Sequence, residues 1–397
     1  MSSRSTTPAA NITDGVNVLN TYLAENDLPH PSFDANGPAD LQLSSEVEDT
    51  VLSVLNSTLE LCDLLRGPKE SMLEWFFWRP WVVYDVIRRF SIAAKIPVDG
   101  EASYADLAVA PGINEDALTR ILRYGLDSSS AIKLLAEDAL LNDMVQQARE
   151  DCMASSLAQA DALEKWPAAD EPSEVTYLLG ENSTQTGFFA HIAQDPERAE
   201  RFARSMSHHS KGENIAEDYD WGSLGSATIV DIGGSTGEVA FKIANQYPNL
   251  KVIVQDLPEY LKAAKVKDLG NVSFMAHDFF KDQPVAGASV YYLRWVFHDW
   301  HDKYGVKILR ALIPALRPGT KVLIVQAIVP PFGVLPNLVE RRLRGFDTAM
   351  LAFMNAKERT LDEWKNMIRT ADARFQFEQV IPLKNSLLSV IELVWAP

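Results

Sequence analysis

Cysteine is nearly absent from this chain of 397 residues, which contains only Cys62 and Cys152. Two cysteines are too few for the disulfide framework of a small secreted protein, and they favour a reducing compartment. The first fourteen residues, MSSRSTTPAANITD, lack the apolar run of a signal peptide. The most apolar stretch, residues 75–87, is interrupted by charges and proline and is too short to cross a bilayer. We therefore expect a cytoplasmic protein with no membrane partner.

Basic side chains are also scarce: 37 Lys and Arg face 54 Asp and Glu, a net charge of −17. Nucleic acids and anionic membranes bind clustered positive charge, so neither is expected as a partner. Residues 103–126 do predict a helix-turn-helix, with the turn at Pro111-Gly112. Its second helix balances acidic against basic side chains and offers no basic face to a DNA groove. This segment is therefore interpreted as a scaffold or a dimer contact.

The glycine-rich segment 227–259, ATIVDIGGSTGEVAFKIANQYPNLKVIVQDLPE, is the most informative part of the chain. An apolar run ends at Asp231, a glycine turn and an amphipathic stretch follow, and a second apolar run ends at Asp256. This order predicts strand, turn, helix and strand. Open α/β sheets bind nucleotide-like ligands outside the carboxyl ends of such strands. Asp256 is expected to hold a ribose diol there.

The spacing of the glycines distinguishes between two ligand classes. They stand at 233, 234 and 237 rather than in the G-x-G-x-x-G pattern of a dinucleotide site. Asp231 precedes them, and an acid suits a cation better than a pyrophosphate. S-adenosylmethionine (SAM) has an ammonium, a sulfonium, a ribose and an adenine, so it is the favoured ligand. NAD(P), or a turn that only connects strand to helix, are the alternatives.

A second motif, LRWVFHDWHD, places His298 just past the end of another apolar strand. Histidine has the side-chain pKa nearest neutrality, so it can accept a proton from a hydroxyl that attacks a methyl group. A lone histidine at a strand end is more often structural. The catalytic interpretation therefore depends on the wider pattern.

The motifs VDIGGSTG, VQDLPE, HDF, LRWVFHDWHD and KERTLDEW together resemble the caffeate-type, metal-independent O-methyltransferases of plants and fungi. The similarity runs from about residue 45 to the end and favours the fungal secondary-metabolism branch. It implies an α/β fold, in which a Rossmann-like class I methyltransferase domain follows a mainly helical, winged-helix-like dimerisation domain. We expect an N-terminal extension at 1–44, the dimerisation domain at 45–165 and the SAM-binding domain at 166–397.

The resemblance also implies roles for residues at matching positions. His298 would be the general base, with Glu358 and Gln326 beside it. The cofactor would contact Gly233, Gly234, Gly237, Asp256, Leu257, Asp278, Phe279, Arg294 and Ser210. The substrate would contact Phe202, Met206, Asp299, Met350 and Asn355. Core packing is an equally good interpretation of Phe202, Met206, Met350 and Asn355, and Asp299 could instead cap the following helix.

The implied activity is SAM-dependent methylation of a hydroxyl on an aromatic or polyketide-like secondary metabolite, by a homodimer without a metal. The apolar stretch 75–81 fits a dimer interface, whereas the β-hairpin wing expected after residue 126 is missing or much reduced, since DSSSAIKLLAED leads directly into a predicted helix. One alternative is a pericyclase or dehydratase of the same family that keeps SAM only as a bound cation. The other is a non-enzymatic regulator or a silent partner subunit.

Gln326 departs from the plant pattern, in which two acidic residues flank the base. A carboxylate favours the protonated form of an imidazole, whereas an amide can orient the ring without adding charge. We predict that Gln326→Glu raises the pKa of His298 and moves the low-pH limb of the pH–rate profile, which reports the general base, to higher pH. Equal limbs in the two proteins would show that this inference is wrong.

Overall fold

The computed structural model describes residues 6–32, 37–38, 40–77, 80–96, 102–109, 112–125, 138–209, 215–261, 270–384 and 386–396. The chain forms two compact units. The first unit comprises Met1–Met153, Arg201–His209 and Gly333–Arg341. The second unit comprises Ala154–Glu200, Ser210–Phe332 and Arg342–Pro397.

The first unit is helical in the part that the structure describes. Its helices are Thr6–Glu25, Ser45–Phe77, Pro80–Arg89, Tyr104–Val109, Glu115–Gly125 and Ala139–Gln147. A 3₁₀ turn, Ala93–Lys95, follows the third helix, and a π-helical turn, Ala148–Met153, follows the last one. The helix Ser45–Phe77 has a kink at Gly67, which has φ +72°. The predicted helix-turn-helix is present as Tyr104–Val109 and Glu115–Gly125, and its apolar side chains Leu107, Leu118 and Leu122 are buried. The wing region, 126–137, and the side chains of the stretch 75–81 lie outside the described residues.

The second unit is built around a seven-stranded sheet. Its strands are β1 Thr228–Ile232, β2 Lys251–Asp256, β3 Val272–Ala276, β4 Val290–Arg294, β5 Lys321–Ala327, β6 Phe375–Pro382 and β7 Leu388–Trp395. They lie in the order β3-β2-β1-β4-β5-β7-β6. Strands β1 to β5 are parallel, whereas β7 is antiparallel to both β5 and β6. The predicted Rossmann-like α/β fold is confirmed, and the carboxyl ends of β1, β2 and β4 meet at one edge.

The second unit also contains helices. They are Ala154–Leu157, Gln159–Lys165, Thr176–Gly180, Phe188–Ile192, Ile215–Asp218, Glu238–Gln246, Pro258–Leu261, Asp302–Leu312 and Leu361–Ala371, with 3₁₀ turns at Trp221–Leu224, Phe297–Asp299 and Ile313–Ala315. Two further helices, Pro196–His209 and Asn337–Met354, have residues in both units. The central strands are continuous apolar runs because both faces of a parallel sheet are covered. β4 and β5 are accordingly buried along almost their whole length.

The start of the helix Leu361–Ala371 fixes the segment that precedes it. Thr360 Oγ1 accepts a hydrogen bond from the Glu363 N–H, and the Glu363 carboxylate accepts one from the Thr360 N–H. This capping box satisfies helix-end N–H groups that would otherwise lack partners. Glu358 and Arg359 therefore lie at a defined position next to the sheet, where Arg359 forms a bridge with Ile328 just beyond β5.

Within the described residues, every helix is too short or too polar to cross a bilayer.

Candidate active site

The loop after β1 depends on three glycines. A Cβ atom on Gly234 would lie 2.6 Å from Asp231 Oδ2. Gly233 and Gly237 have φ +74° and +77°, in the left-handed region that residues with a Cβ rarely adopt. The N–H groups of Gly233 and Gly234 donate to the Gln255 carbonyl at 2.7 and 3.2 Å, so the loop is held against β2. The glycines leave a cradle at the strand ends that side chains would fill.

Asp256 ends β2 at the same edge of the sheet. Its carboxylate accepts hydrogen bonds from the N–H groups of Ser235, at 2.9 Å, and Leu257, at 2.7 Å. Each carboxylate oxygen can accept a further bond, so both could bind a ribose hydroxyl. The Asp256 carbonyl accepts from the His277 N–H at 2.9 Å, which connects the ends of β2 and β3. The arrangement fits the predicted ribose site.

Asp231 lies under the glycine loop and is 4% exposed. Burial raises the pKa of Asp231 to about 7; the Arg294 guanidinium opposes this rise and the Asp256 carboxylate adds to it. Near neutral pH this group is therefore balanced between its neutral and charged forms. A cationic ligand in the cradle would favour the charged form.

Aromatic side chains gather after β3. Asp278 Oδ1 accepts from the Phe280 N–H at 2.9 Å and closes a tight turn. The ring of Phe279 makes edge contacts with Phe280 and Trp300, with centroids 5.0 and 6.1 Å apart. Such rings provide an apolar surface against which an adenine can pack.

The chain turns sharply after β4. Trp295 has φ +53°, a strained conformation for a bulky residue, and Phe297–Asp299 then form one 3₁₀ turn. Phe297 is fully buried, and its ring contacts Trp364 at a centroid distance of 5.7 Å. His298 is thereby fixed just beyond the carboxyl end of β4, where the motif predicts it.

His298 is 8% exposed, and its Nδ1 atom lies 2.7 Å from Glu358 Oε1. Because a carboxylate only accepts hydrogen bonds, Nδ1 carries the proton and the neutral ring keeps its lone pair on Nε2. Burial lowers the pKa of His298, but the carboxylates of Asp299 and Glu358 raise it by more, so the net shift is upward. The ring can therefore accept a proton at Nε2 while Glu358 stabilises the resulting cation.

Asp299 Oδ1 lies 3.4 Å from His298 Nε2. Burial raises the pKa of Asp299 to about 6; the positive charge of His298 opposes this rise and the charge of Glu358 adds to it. The helix that follows begins at Asp302, with His301 at its N-cap position. Asp299 therefore belongs to the surroundings of His298, and its interpretation as a helix cap is wrong.

Glu358 has a fully buried side chain. Its N–H donates to Asp347 Oδ1 at 2.9 Å, whereas its Oε2 atom has no hydrogen-bond partner among the described residues. A buried oxygen without a partner is costly. The bond to His298 is therefore the main compensation for burying this carboxylate.

Gln326 is fully buried at the end of β5. With its amide oxygen turned toward the loop after β4, it accepts hydrogen bonds from the N–H groups of Trp295, at 3.1 Å, and Val296, at 2.9 Å. These bonds go to the backbone rather than to the imidazole of His298. A role for Gln326 at the ring itself stays a prediction.

Two neighbours of His298 are missing from the sequence prediction. The ring of Trp295 packs against the imidazole at a centroid distance of 4.7 Å. Arg359, which is fully buried, donates to the carbonyls of Phe297 and Trp300 on either side of His298. Both residues stand inside quoted motifs, but nothing in their spacing indicates which groups they contact.

The predicted substrate contacts are scattered. Asn355 is 7% exposed and donates to the Glu171 carbonyl at 3.1 Å, and Met350 is half-buried. Phe202 and Met206 are half-buried residues of the first unit. Ser210, a predicted cofactor contact, lies outside the described residues. The roles of these five residues stay predictions.

Comparison with known proteins gives the site its context. Residues 171–374 match the O-methyltransferase domain family. The chain is 37% identical to O-methyltransferase gsfB of Penicillium aethiopicum, over 100% of this chain and 99% of that protein. It is 26% identical, with a TM-score of 0.64, to the O-methyltransferase NcsB1 from neocarzinostatin biosynthesis in complex with SAM and a hydroxynaphthoic acid; 79% of this chain and 95% of that one are covered. A pericyclic reaction enzyme shares the fold at 22% identity, with a TM-score of 0.74 over 88% of this chain and 94% of that one.

Gly234→Ala tests the cradle. We expect loss of SAM binding, because the new Cβ atom would lie 2.6 Å from Asp231 Oδ2 and 2.8 Å from Val254 Cγ1. Gly222→Ala is the control, since its Cβ atom would meet neighbours only at 3.5 Å or more. Isothermal titration calorimetry with SAM measures both variants, and wild-type affinity in Gly234→Ala would contradict the assignment.

Asp231 predicts a pH dependence of cofactor binding. The pKa of Asp231 is about 7, so the carboxyl is mostly neutral at pH 6 and mostly charged at pH 7.5. The affinity for cationic SAM should rise over this interval by roughly tenfold at most, as the ionised fraction does. The rise should be absent in Asp231→Asn. Calorimetric affinities that follow the same pH curve in both proteins would exclude Asp231 as the titrating group.

Proposed function

The chain belongs to the O-methyltransferase family, and we propose that it methylates a hydroxyl of an aromatic or polyketide-like secondary metabolite, with SAM as methyl donor. The chain aligns over its whole length with gsfB, which is named as an O-methyltransferase. SAM, when bound, supplies a methyl group on a positively charged sulfur. The residues of this chain bind and orient the two reactants and remove one proton.

The glycine cradle fits SAM. Asp231 and Asp256 provide negative charge for a cation and acceptors for a ribose, while Phe279 and Trp300 provide an apolar surface for adenine. We assign Gly233, Gly234, Gly237, Leu257, Asp278 and Arg294 to the same binding site. Only the backbone and small side chains line the loop itself, which suits a ligand that approaches closely.

The hydrogen bond of 2.7 Å between His298 Nδ1 and Glu358 Oε1 is the observation that carries the catalytic assignment. It keeps the Nε2 lone pair available for the hydroxyl proton. Bound SAM would supply the methyl group to the acceptor oxygen and leave as S-adenosylhomocysteine, and Nε2 of His298 would accept the hydroxyl proton. A phenol with a pKa near 10 is mostly neutral at pH 7, so this transfer increases its nucleophilicity.

A non-methylating reaction of the same fold, such as pericyclic ring formation with SAM as a bound cation, is the second candidate. Its support is the fold that the chain shares with a pericyclic reaction enzyme. A shared fold does not by itself establish a shared activity. The two are separated by incubating the protein with metabolite extract and SAM labelled in its methyl group. Methyl transfer gives labelled product and an equal amount of S-adenosylhomocysteine (SAH), whereas product without SAH would establish the second candidate.

We also propose that the protein is a cytoplasmic homodimer. Within each chain, we propose domain boundaries near residues 45 and 166. The support is the family resemblance and the amphipathic helices of the first unit, such as Glu115–Gly125. Light scattering after size exclusion measures the molecular mass directly.

His298→Ala tests the assigned base. We expect unchanged SAM affinity and a fall in turnover of roughly 10²–10⁴-fold, the usual contribution of a general base. Glu358→Gln should lose less, because an amide oxygen can still accept the Nδ1–H bond but cannot stabilise the imidazolium by charge. SAH release is the readout, and turnover near wild type in His298→Ala would remove the residue from the mechanism.

A further inference from the structure

The loop Trp295–Trp300, which carries His298, is held at both ends by buried polar side chains from distant parts of the chain. Gln326 holds its beginning and Arg359 holds its end. Both side chains are fully buried, with 0% exposure. Neither side chain can act as the base, because an amide does not ionise and a guanidinium stays protonated.

The beginning of the loop needs an external acceptor because of its conformation. Trp295 has φ +53°, so the backbone leaves the regular strand conformation directly after β4. The Trp295 N–H reaches the Val325 carbonyl only at 3.3 Å. When the Gln326 amide is oriented so that its oxygen faces donors, that oxygen lies 3.1 Å from the same N–H and 2.9 Å from that of Val296. The side chain of Gln326 therefore accepts hydrogen bonds from the N–H groups of both Trp295 and Val296 at the beginning of the loop.

The end of the loop presents carbonyl groups, which Arg359 satisfies. Its Nη1 atom donates to the Phe297 carbonyl at 2.8 Å, and its Nη2 atom donates to the Trp300 carbonyl at 2.6 Å. Its Nε atom donates to Asp302 Oδ1 at 2.7 Å, which neutralises the buried guanidinium. The planar fork of arginine can make these three bonds at once, whereas a lysine could not.

The two ends are connected to each other. The Arg359 carbonyl accepts a hydrogen bond from the Val329 N–H at 2.9 Å, and Arg359 forms a bridge with Ile328. Ile328 follows Gln326 by two residues. The segment that supplies Glu358 to the imidazole is therefore attached to the strand that supplies Gln326 to the loop.

We propose that Gln326 and Arg359 are positioning residues that fix the loop Trp295–Trp300 and thereby aim the imidazole of His298. The proposal rests on the assigned role of His298 in methyl transfer. At the position where plant relatives carry a second acid, this chain thus uses a neutral side chain that acts on the backbone. A small displacement of a catalytic group, about 1 Å, can lower a rate by roughly 10²-fold.

Gln326→Met tests the positioning role of Gln326, because methionine has a similar length but no oxygen acceptor. We expect kcat to fall roughly 10- to 100-fold with the SAM dissociation constant unchanged. In ¹⁵N-histidine spectra, the Nδ1–H signal of His298 should broaden as the ring samples several orientations. Gln326→Glu should restore the sharp signal and most of kcat, since its carboxylate can accept both N–H bonds.

Gln283→Met is the matched control for this test. Gln283 is also a buried glutamine of the second unit, but its amide bonds to Gln255 and to the Val285 N–H. Its replacement should leave the His298 signal unchanged. The proposal is overturned if Gln326→Met leaves both kcat and the His298 signal unchanged, or if Gln283→Met alters them equally.

Arg359→Lys tests the positioning role of Arg359, with Arg310→Lys as its control. Arg310 also donates to two main-chain carbonyls, those of Thr370 and Ala371, but away from the loop. We expect only Arg359→Lys to lower kcat and broaden the His298 signal. Equal effects in both variants would overturn this half of the proposal.

The spectra separate this proposal from the proposed function. If the unchanged protein releases no SAH with any acceptor, methyl transfer is wrong. The orientation of His298 in the Gln326 and Arg359 variants is still measured in the presence of SAM alone.

Discussion

The hydrogen bond between His298 and Glu358 determines what the site can do, because it fixes both the tautomer and the direction of the imidazole. The Glu358 carboxylate is fully buried, and one of its oxygens has no partner among the described residues. The same burial that destabilises a lone carboxylate strengthens its interaction with an imidazolium. A proton taken up at Nε2 is therefore stabilised at the opposite nitrogen, where no substrate needs to bind.

This arrangement requires the chain to turn within a few residues of β4. The turn is strained at Trp295, and a strained turn persists only when its surroundings determine it. Phe297 anchors it in the apolar core, while Gln326 and Arg359 satisfy its backbone. The apolar core, the sheet and the buried polar groups thus act together on one side chain, which lies at the same edge of the sheet as the glycine cradle.

Local patterns predict much of the second unit. The glycines at 233, 234 and 237 and the acids at 231 and 256 predict a strand, a turn and a second strand, because turn geometry depends on neighbouring residues. Local patterns do not predict the order of the strands. The insertion of antiparallel β7 between β5 and β6 depends on pairing over long sequence separations, which no local pattern encodes.

The candidate active site also contains residues that local patterns predict and contacts that they do not. His298 and Glu358 follow from their motifs, whereas the contacts of Gln326 do not, since its partners are backbone groups thirty residues earlier in the chain. Arg359 is also hidden from sequence reasoning, because a buried arginine is recognised only by the carbonyls around it. In the first unit, the helix Thr6–Glu25 lies in the segment 1–44, which the sequence predicts only as an N-terminal extension. Most helical stability in proteins comes from tertiary packing, which a local pattern does not encode.

A crystal structure of the protein with SAH and its methyl acceptor would show whether His298 acts as the base. We expect the acceptor oxygen within about 2.6–3.2 Å of His298 Nε2, with Nδ1 still bonded to Glu358. We also expect SAH in the glycine cradle, with its sulfur facing that oxygen. An imidazole directed away from the sulfur, with no space for an acceptor between them, would show that His298 is not the base.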